Sequence, residues 1–295
     1  MKKKCFTYRA ENQPVAWIYL LPALALIGLF NIYPIFKALW LSFRSGSLVK
    51  NQFNGIDNYV YVLKDTVFHH AMKNTAIYAF VVVPVCLMIA LVIAWLIFEK
   101  VKNKSLFETI FFIPYVTSTI AIGIVFKALL NENYGLLNSF LNLFGIEKIK
   151  WLTSIQMSVS SMILFGIWNG LAFNIIILLA GLRNIPKNYY TVADMYGASN
   201  FEKFIRITLP QLFPTIAFLL TVNLIGAFKV YTQVYALFSG KAGIANSAQT
   251  AVFYIYDKFH MAGRPGYAMA ATMILFVVIL MITIIQNKLL KKGEQ

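Results

Sequence analysis

Six stretches of this chain, residues 17–43, 75–98, 107–129, 155–182, 212–230 and 267–285, are apolar over about 20 residues each, the length a helix needs to cross the hydrocarbon core of a bilayer. A backbone immersed in lipid must satisfy its own hydrogen bonds, so six such runs restrict the chain to an all-α, polytopic membrane protein with six transmembrane helices. Composition points the same way. Of 295 residues, 59% are hydrophobic and only 13% charged, too few charges to cover a soluble domain of that length. The first run is overlong and carries Pro22 and Pro34, which predicts a tilt, a kink or an end that projects beyond the bilayer. The fifth is interrupted by Asn223 and Lys229. The opening MKKK and the apolar run behind it resemble a signal peptide, with Ala23-Leu24-Ala25 as a cleavage site. That run continues well past the site and five more follow, so an uncleaved first helix is expected.

A net charge of +15 raises the question of nucleic acid. The basic residues are scattered beside apolar runs rather than gathered on one polar module, so no nucleic-acid partner is expected and membrane orientation explains them better. Lysine and arginine favour the cytoplasmic side. They are densest in segments 1–14, 99–106, 183–211 and 286–295, which predicts that both termini are cytoplasmic. Segments 44–70, 131–154 and 231–266 are then expected outside. Cys5 and Cys86 should lie at different depths, which argues against a disulfide between them. His69, His70 and His260 make no cluster with cysteine, and no metal site is expected.

Between the fourth and fifth runs lies a short charged insert, "TVADMYGASNFEKFIRITLPQLFP" (191–214). Residues 188–196 can form a short helix that Gly197 ends in a left-handed conformation. Ser199 is placed to cap a second helix running to about Ile207, and Glu202 three residues on completes a capping-box pattern. Pro210 is expected to break the chain before it re-enters the membrane. The predicted product is a helix–turn–helix outside the lipid, with Phe201, Phe204, Ile205 and Ile207 as apolar material to dock with a partner. An amphipathic loop lying on the headgroups is the alternative.

"IPKNYYTVADMYGASNFEKFIRITLPQLFP" (185–214) resembles the EAA loop of permease subunits of binding-protein-dependent ABC importers. Pro186, Tyr190, Ala193, Gly197, Ala198, Phe204, Ile207, Thr208, Leu209 and Pro210 stand in register with that pattern. "FNGIDNYVYVL" (53–63), "NTAIYAF" (74–80), "FFIPYV" (111–116), "NYGLLNSFL" (133–141), "LLAGLRNIP" (178–186) and "GYAMAA" (266–271) extend the resemblance to the carbohydrate branch, the relatives of the maltose and glycerol-phosphate permeases. The order is conserved along nearly the whole chain. Three positions depart from the loop pattern: its glutamate is Thr191, its first alanine Val192 and its aspartate Tyr196.

The resemblance implies a permease domain over 15–285, with a cytoplasmic coupling loop at 183–211 between short tails at 1–14 and 286–295, in a prokaryotic plasma membrane. It implies four kinds of partner besides membrane lipid: a second homologous permease making a heterodimer, a dimer of ABC ATPase subunits, an extracytoplasmic solute-binding protein and a sugar. No G-x-x-x-x-G-K-[ST] phosphate loop occurs, so ATP and Mg are expected on the ATPase and no cofactor on this chain. Thr191, Ala193, Asp194, Gly197, Ala198, Phe204 and Pro210 are the implied ATPase-coupling residues. Asp194, three residues after Thr191 on nearly the same helix face, is the candidate to replace the missing glutamate.

Polar residues inside spans are costly and point to pathways. Trp168, Asn169, Gly170, Phe173 and Asn174 in the fourth run, with Asn223 and Phe228 in the fifth, combine amides with aromatic rings, a mixture suited to sugar hydroxyls and C–H faces. The same residues can instead serve helix packing. Rival readings are an ion-gradient-driven transporter, a permease for a non-sugar solute and a membrane enzyme. No acid lies well inside a span to couple an ion, and no paired acids, H-E-x-x-H or G-x-S-x-G motif supports an enzyme.

Overall fold

A computed structural model describes residues 13–100 and 104–293; most of the predicted N-terminal tail, with Cys5, lies outside them. The chain starts with α1 (Gln13–Ile27), a π-turn (Gly28–Ile32) and α2 (Tyr33–Ser42) in one continuous helix, then a hairpin of β1 (Arg44–Gly46) and β2 (Asn51–Phe53). The hairpin is antiparallel, with Arg44 opposite Phe53 and Gly46 opposite Asn51. There follow α3 (Asp57–Lys64), α4 (Thr66–Lys100), α5 (Lys104–Val116), α6 (Thr119–Leu129), α7 (Leu136–Asn142) and α8 (Ile155–Arg183). Next come α9 (Lys187–Met195), then α10 (Asn200–Lys203), a π-turn (Phe204–Thr208) and α11 (Leu209–Phe228) as one run. The chain closes with α12 (Thr232–Leu237), α13 (Ala251–Tyr256) with a π-turn (Asp257–Met261), and α14 (Pro265–Gly293).

Among the described residues five helices are long and apolar enough to cross a membrane, at Trp17–Ser42, Thr66–Glu99, Ile155–Arg183, Asn200–Phe228 and Pro265–Leu290. The expected third span is not a straight helix. It is a bent pair, α5 and α6, whose arms meet at 100° across Thr117 and Ser118. Hydropathy over 107–129 is continuous, and the break comes from local chemistry. Pro114 removes a backbone donor near the end of α5, and the Thr117 hydroxyl donates to the Ile113 carbonyl at 2.8 Å. Ser118 takes a non-helical ψ of 124° and its carbonyl accepts from the Ile122 amide, starting α6.

Proline leaves the helix continuous at two other places, at Pro210 against expectation. Neither Pro34 nor Pro210 breaks its helix. Each stands two residues after a π-turn, in which Tyr33 donates to the Gly28 carbonyl and Leu209 to the Phe204 carbonyl, five residues back rather than four. The wider turn moves the preceding carbonyls out of the way of the proline ring, which would otherwise clash one turn back. The second helix of the insert therefore merges with the fifth span instead of ending near Ile207.

α4 and α8 run parallel through the centre and α11 runs antiparallel beside them. Gly166 and Gly170, one turn apart on α8, allow the close approach: a Cβ at Gly166 would overlap the Tyr78 ring, and one at Gly170 would stand 3.0 Å from Cys86 Sγ. Met162, Phe165, Ile175, Leu178, Leu182, Leu212 and Leu219 are fully buried between these helices. α14 packs on α2, α3, α13 and α11. At the end of the molecule bearing the hairpin, the loop 240–251 is bolted to α4. Asn74 Nδ2 donates to the carbonyls of Ser247 at 2.9 Å and Gln249 at 3.0 Å, and Thr75 Oγ1 accepts from the Ala251 amide at 2.9 Å. Beside it, Asp65 accepts from Tyr254 Oη at 2.8 Å and pairs with Lys258 at 3.1 Å.

Candidate functional site

Between α4, α8 and α11, with the elbow of α5 and α6 on one side, lies a cavity of about 400 Å³. α4 lines it with Tyr78, Val82, Val83 and Cys86, and α8 with Gly166, Asn169, Gly170 and Phe173. α11 and the residues after it contribute Val222, Asn223, Gly226, Ala227, Val230 and Gln233, and the elbow contributes Tyr115 and Thr119. Tyr78, Cys86, Tyr115, Thr119 and Gln233 were not among the residues the sequence singled out. Helix pairing brings them in, and the one local signal was the pair of small residues at 166 and 170, four apart, that lets α4 close on α8.

The polar groups here divide into two sets. One set holds helices together. Asn223 Nδ2 donates to Asn174 Oδ1 at 2.6 Å, and Asn174 Nδ2 donates to the Gly170 carbonyl at 2.8 Å and to Cys86 Sγ at 3.4 Å. The Cys86 thiol in turn faces the Ile167 carbonyl at 3.5 Å. Asn174, 1% exposed, is thus consumed by a knot that joins α4, α8 and α11. The other set faces the cavity: among the described residues the side-chain amides of Asn169 and Gln233 find no partner. Tyr115 stacks on Phe173 with centroids 5.6 Å apart and an interplanar angle of 21°, setting an aromatic surface at one end.

Four of the residues expected along a substrate path, Asn169, Gly170, Phe173 and Asn223, therefore share one cavity wall. Trp168, Asn174 and Phe228 are elsewhere. Trp168 turns to the Phe126 ring, 5.1 Å away, and Phe228 is buried edge-on to Phe80 at 6.1 Å. Trp168 stands about 100° round α8 from Asn169, on the side that faces α6 and Phe126.

The insert forms a second candidate surface. α9 ends with Tyr196 as C-cap and Gly197 at φ 72°, and the Gly197 and Ala198 amides bond the carbonyls of Asp194 and Ala193 at 3.0 Å each. Ser199 and Glu202 make the reciprocal capping box. Tyr190 Oη and Thr208 Oγ1 are 2.9 Å apart, and Phe204 packs on Trp95 of α4 at 4.8 Å. Val192, Met195, Tyr196 and Phe201 are exposed, and so are Thr191 and Pro210, while Ala193, Ala198 and Phe204 are half-buried. Asp194 is engaged within the chain: its Oδ1 accepts from Lys203 Nζ at 2.7 Å, with 15% of the lysine side chain and 60% of the aspartate side chain exposed.

Residues 77–293 match the family model described as "Binding-protein-dependent transport system inner membrane component". Among curated proteins, the lactose transport system permease protein LacF of Rhizobium radiobacter is 34% identical over 272 residues, 91% of this chain and 90% of that one. The arabinooligosaccharides transport system permease protein AraP of Bacillus subtilis is 32% identical over 95% of this chain and 89% of its own length. The trehalose/maltose transport system permease protein MalF of Thermococcus litoralis is 29% identical over 93% and 92%. Among solved structures, a chain of a bacterial ABC transporter involved in the import of the acidic polysaccharide alginate superposes with a TM-score of 0.84 at 24% identity, covering 97% of this chain and 98% of that one.

Proposed function

The chain belongs to the family of binding-protein-dependent transport system inner membrane components, and on that premise we propose that it is the permease subunit of an ATP-driven importer that carries a saccharide or related polyol through the cavity beside Asn169 and Asn223. One observation carries the substrate class. The free amides of Asn169 and Gln233 and a stacked aromatic surface at the end give hydroxyls a hydrogen-bond partner and sugar C–H faces a ring. The names of the lactose, arabinooligosaccharide and trehalose/maltose relatives support the same class.

The exposed apolar end of α9, with Thr191, Ala193, Gly197, Ala198 and Phe204 around it, is the docking surface for a separate pair of ATPase subunits, which bind ATP and Mg. This chain carries no phosphate loop of its own. Closure of the ATPases would push α9, and rigid-body movement of the spans would expose the cavity to one side and then the other. A second homologous permease completes the walls, and an extracytoplasmic binding protein delivers solute at the hairpin end. α9 and both termini are then cytoplasmic in a prokaryotic plasma membrane, a reading that the placement of lysine and arginine supports.

The test is reconstitution. The complex captured through a tag on this chain is placed in liposomes with its binding protein and offered labelled lactose, maltose, trehalose and arabinotriose, with and without internal ATP. ATP-dependent uptake of a saccharide, with Asn169→Ala raising its KM about tenfold for a lost hydrogen bond of about 1.4 kcal/mol, is the expected result. Uptake that ignores ATP and follows an ion gradient, or an ATP-driven complex that moves none of these sugars but does move an amino acid or peptide, would overturn it.

A further inference from the structure

The cavity does not stand alone along the seam between α5 and α8. A second void of about 310 Å³ lies between the same two helices, lined by Thr109 and Phe112 from α5 and by Ile176, Leu179, Ala180 and Arg183 from α8. Phe173, Ile176 and Ala180 are spaced three and four apart on α8, as Phe112 and Tyr115 are three apart on α5, so both voids open off one pair of helix faces. Arg183 is the last residue of α8, the end nearest α9. What separates the voids is aromatic. Tyr115 and Phe173 line the first void and stack on each other, and Phe112, which lines the second, stands 6.0 Å from Tyr115.

We propose that the Tyr115–Phe173 ring pair is a gate, and that the void beside Thr109 and Arg183 is the continuation of the path toward the α9 side. This rests on the reading of the first cavity as a solute path. The pair is held by ring contact alone: among the described residues no hydrogen bond ties the Tyr115 hydroxyl. Tyr115 also sits two residues before the elbow at Thr117 and Ser118, where the helical arms meet at 100°. A small rotation of α5 about that elbow would lift Tyr115 off Phe173 without breaking a backbone bond inside either helix. α4, α8 and α11, which form the other walls of the first cavity, are tied to one another by the Asn174 knot. The rings suit a neutral polyhydroxylated solute. Its C–H face can replace one ring on the other as the gate opens, so the aromatic surface is never left bare to water.

The test uses a reporter thiol in the first cavity. Val222→Cys places it at a lining position that is 39% exposed, in a chain also carrying Cys5→Ser and Cys86→Ser. The assembled transporter, in membrane vesicles of each orientation, is treated with a membrane-impermeant charged methanethiosulfonate. With both rings present, the reporter should react from the side opposite α9 at least tenfold faster than from the α9 side. Tyr115→Ala should abolish that asymmetry by raising the rate from the α9 side at least tenfold, and Tyr115→Phe should leave it intact. Phe173→Leu, which keeps apolar volume but loses the ring, carries the same expectation as Tyr115→Ala and stands in for it if that variant does not assemble. Unchanged α9-side rates in the ring-less variants, or equal opening by Tyr115→Phe, would overturn the gate. Failure to find a transported sugar would leave this result untouched, so the two proposals fall separately.

Discussion

The Asp194–Lys203 pair decides what the charged insert does with its only acid on α9. If the carboxylate meets basic groups on an ATPase, its neutralisation alone should uncouple transport. The structure instead has it tie α9 to α10 at 2.7 Å. A fully exposed ion pair contributes roughly 0–1 kcal/mol, and removing one partner of a fully buried pair costs several times that because a charge is left stranded. Lys203, with 15% of its side chain exposed, is on the buried side and Asp194, with 60% exposed, on the solvated side, so a coupling energy of about 1 kcal/mol is expected. That is a factor of about five in any rate that depends on the angle of α9. The assay is a double-mutant cycle on solute moved per unit time in the reconstituted complex. Asp194→Asn and Lys203→Gln should each cost about fivefold, and the double variant should cost no more than either. Exchanging the charges, with Asp194→Lys and Lys203→Asp together, should recover most of the loss. If Asp194→Asn is severe while Lys203→Gln is silent, the carboxylate answers to another chain and the internal tether is not its role.

Three other outcomes follow from the geometry. Burial alone would raise the Asp65 carboxyl, but the Tyr254 hydroxyl, the Val67 amide and the Lys258 ammonium outweigh it and hold the group below the usual carboxylate range. A depressed value means stability that is present above about pH 4 and lost as pH falls further. Thermal unfolding in detergent should therefore weaken below that pH in the native chain, and Asp65→Asn should cost roughly 2–4 kcal/mol at pH 7 by stranding Lys258. Gly166→Ala drives a methyl group into the Tyr78 ring and should destabilise by about 1–3 kcal/mol, with part returned by Tyr78→Ala in a non-additive pair, read by the same melts. Deleting Ile205 should convert the π-turn at Phe204–Thr208 to α-helix and rotate everything before it by about 100°. Transport per ATP should collapse while membrane insertion and the melting temperature hold; an unchanged ratio would mean the turn does not set the position of α9.

The sequence was legible where one residue acts on its own neighbours. Gly197 ends α9 and the Ser199/Glu202 box starts α10, because each needs only the backbone within three residues. Apolar length located the spans for the same reason. Proline was misread at Pro210 because its effect depends on what surrounds it. Pro210 after a π-turn is tolerated, while Pro114 followed by Thr117, Ser118 and Thr119 sits beside a break of 100°. The candidate site was half visible. An asparagine in a span announces a polar need, but Asn169 and Asn174 satisfy it in opposite ways, one facing the cavity and one closing the knot with Asn223 and Cys86. Only the packing of α4 on α8 separates them.

That packing also localises where the permease can move. The π-turn under α11 is joined to α9 by Tyr190–Thr208 and to α4 by Phe204–Trp95. From Thr208, α11 runs 15 residues to Asn223, about 22 Å of continuous helix, and from Trp95, α4 runs nine residues back to Cys86, about 13 Å. Both helices then meet again at the Asn174 knot. Two stiff rods fixed to each other at both ends move as one body, so a push on α9 shifts α4, α8 and α11 together and cannot by itself change the spacing between them. α5 takes part in neither of these two joints. It packs on α8, where Tyr115 stacks on Phe173, and its arm meets that of α6 at 100° across Thr117 and Ser118. If the Tyr115–Phe173 pair is the gate, the displacement is taken up between the α4–α8–α11 body and the α5–α6 elbow beside it.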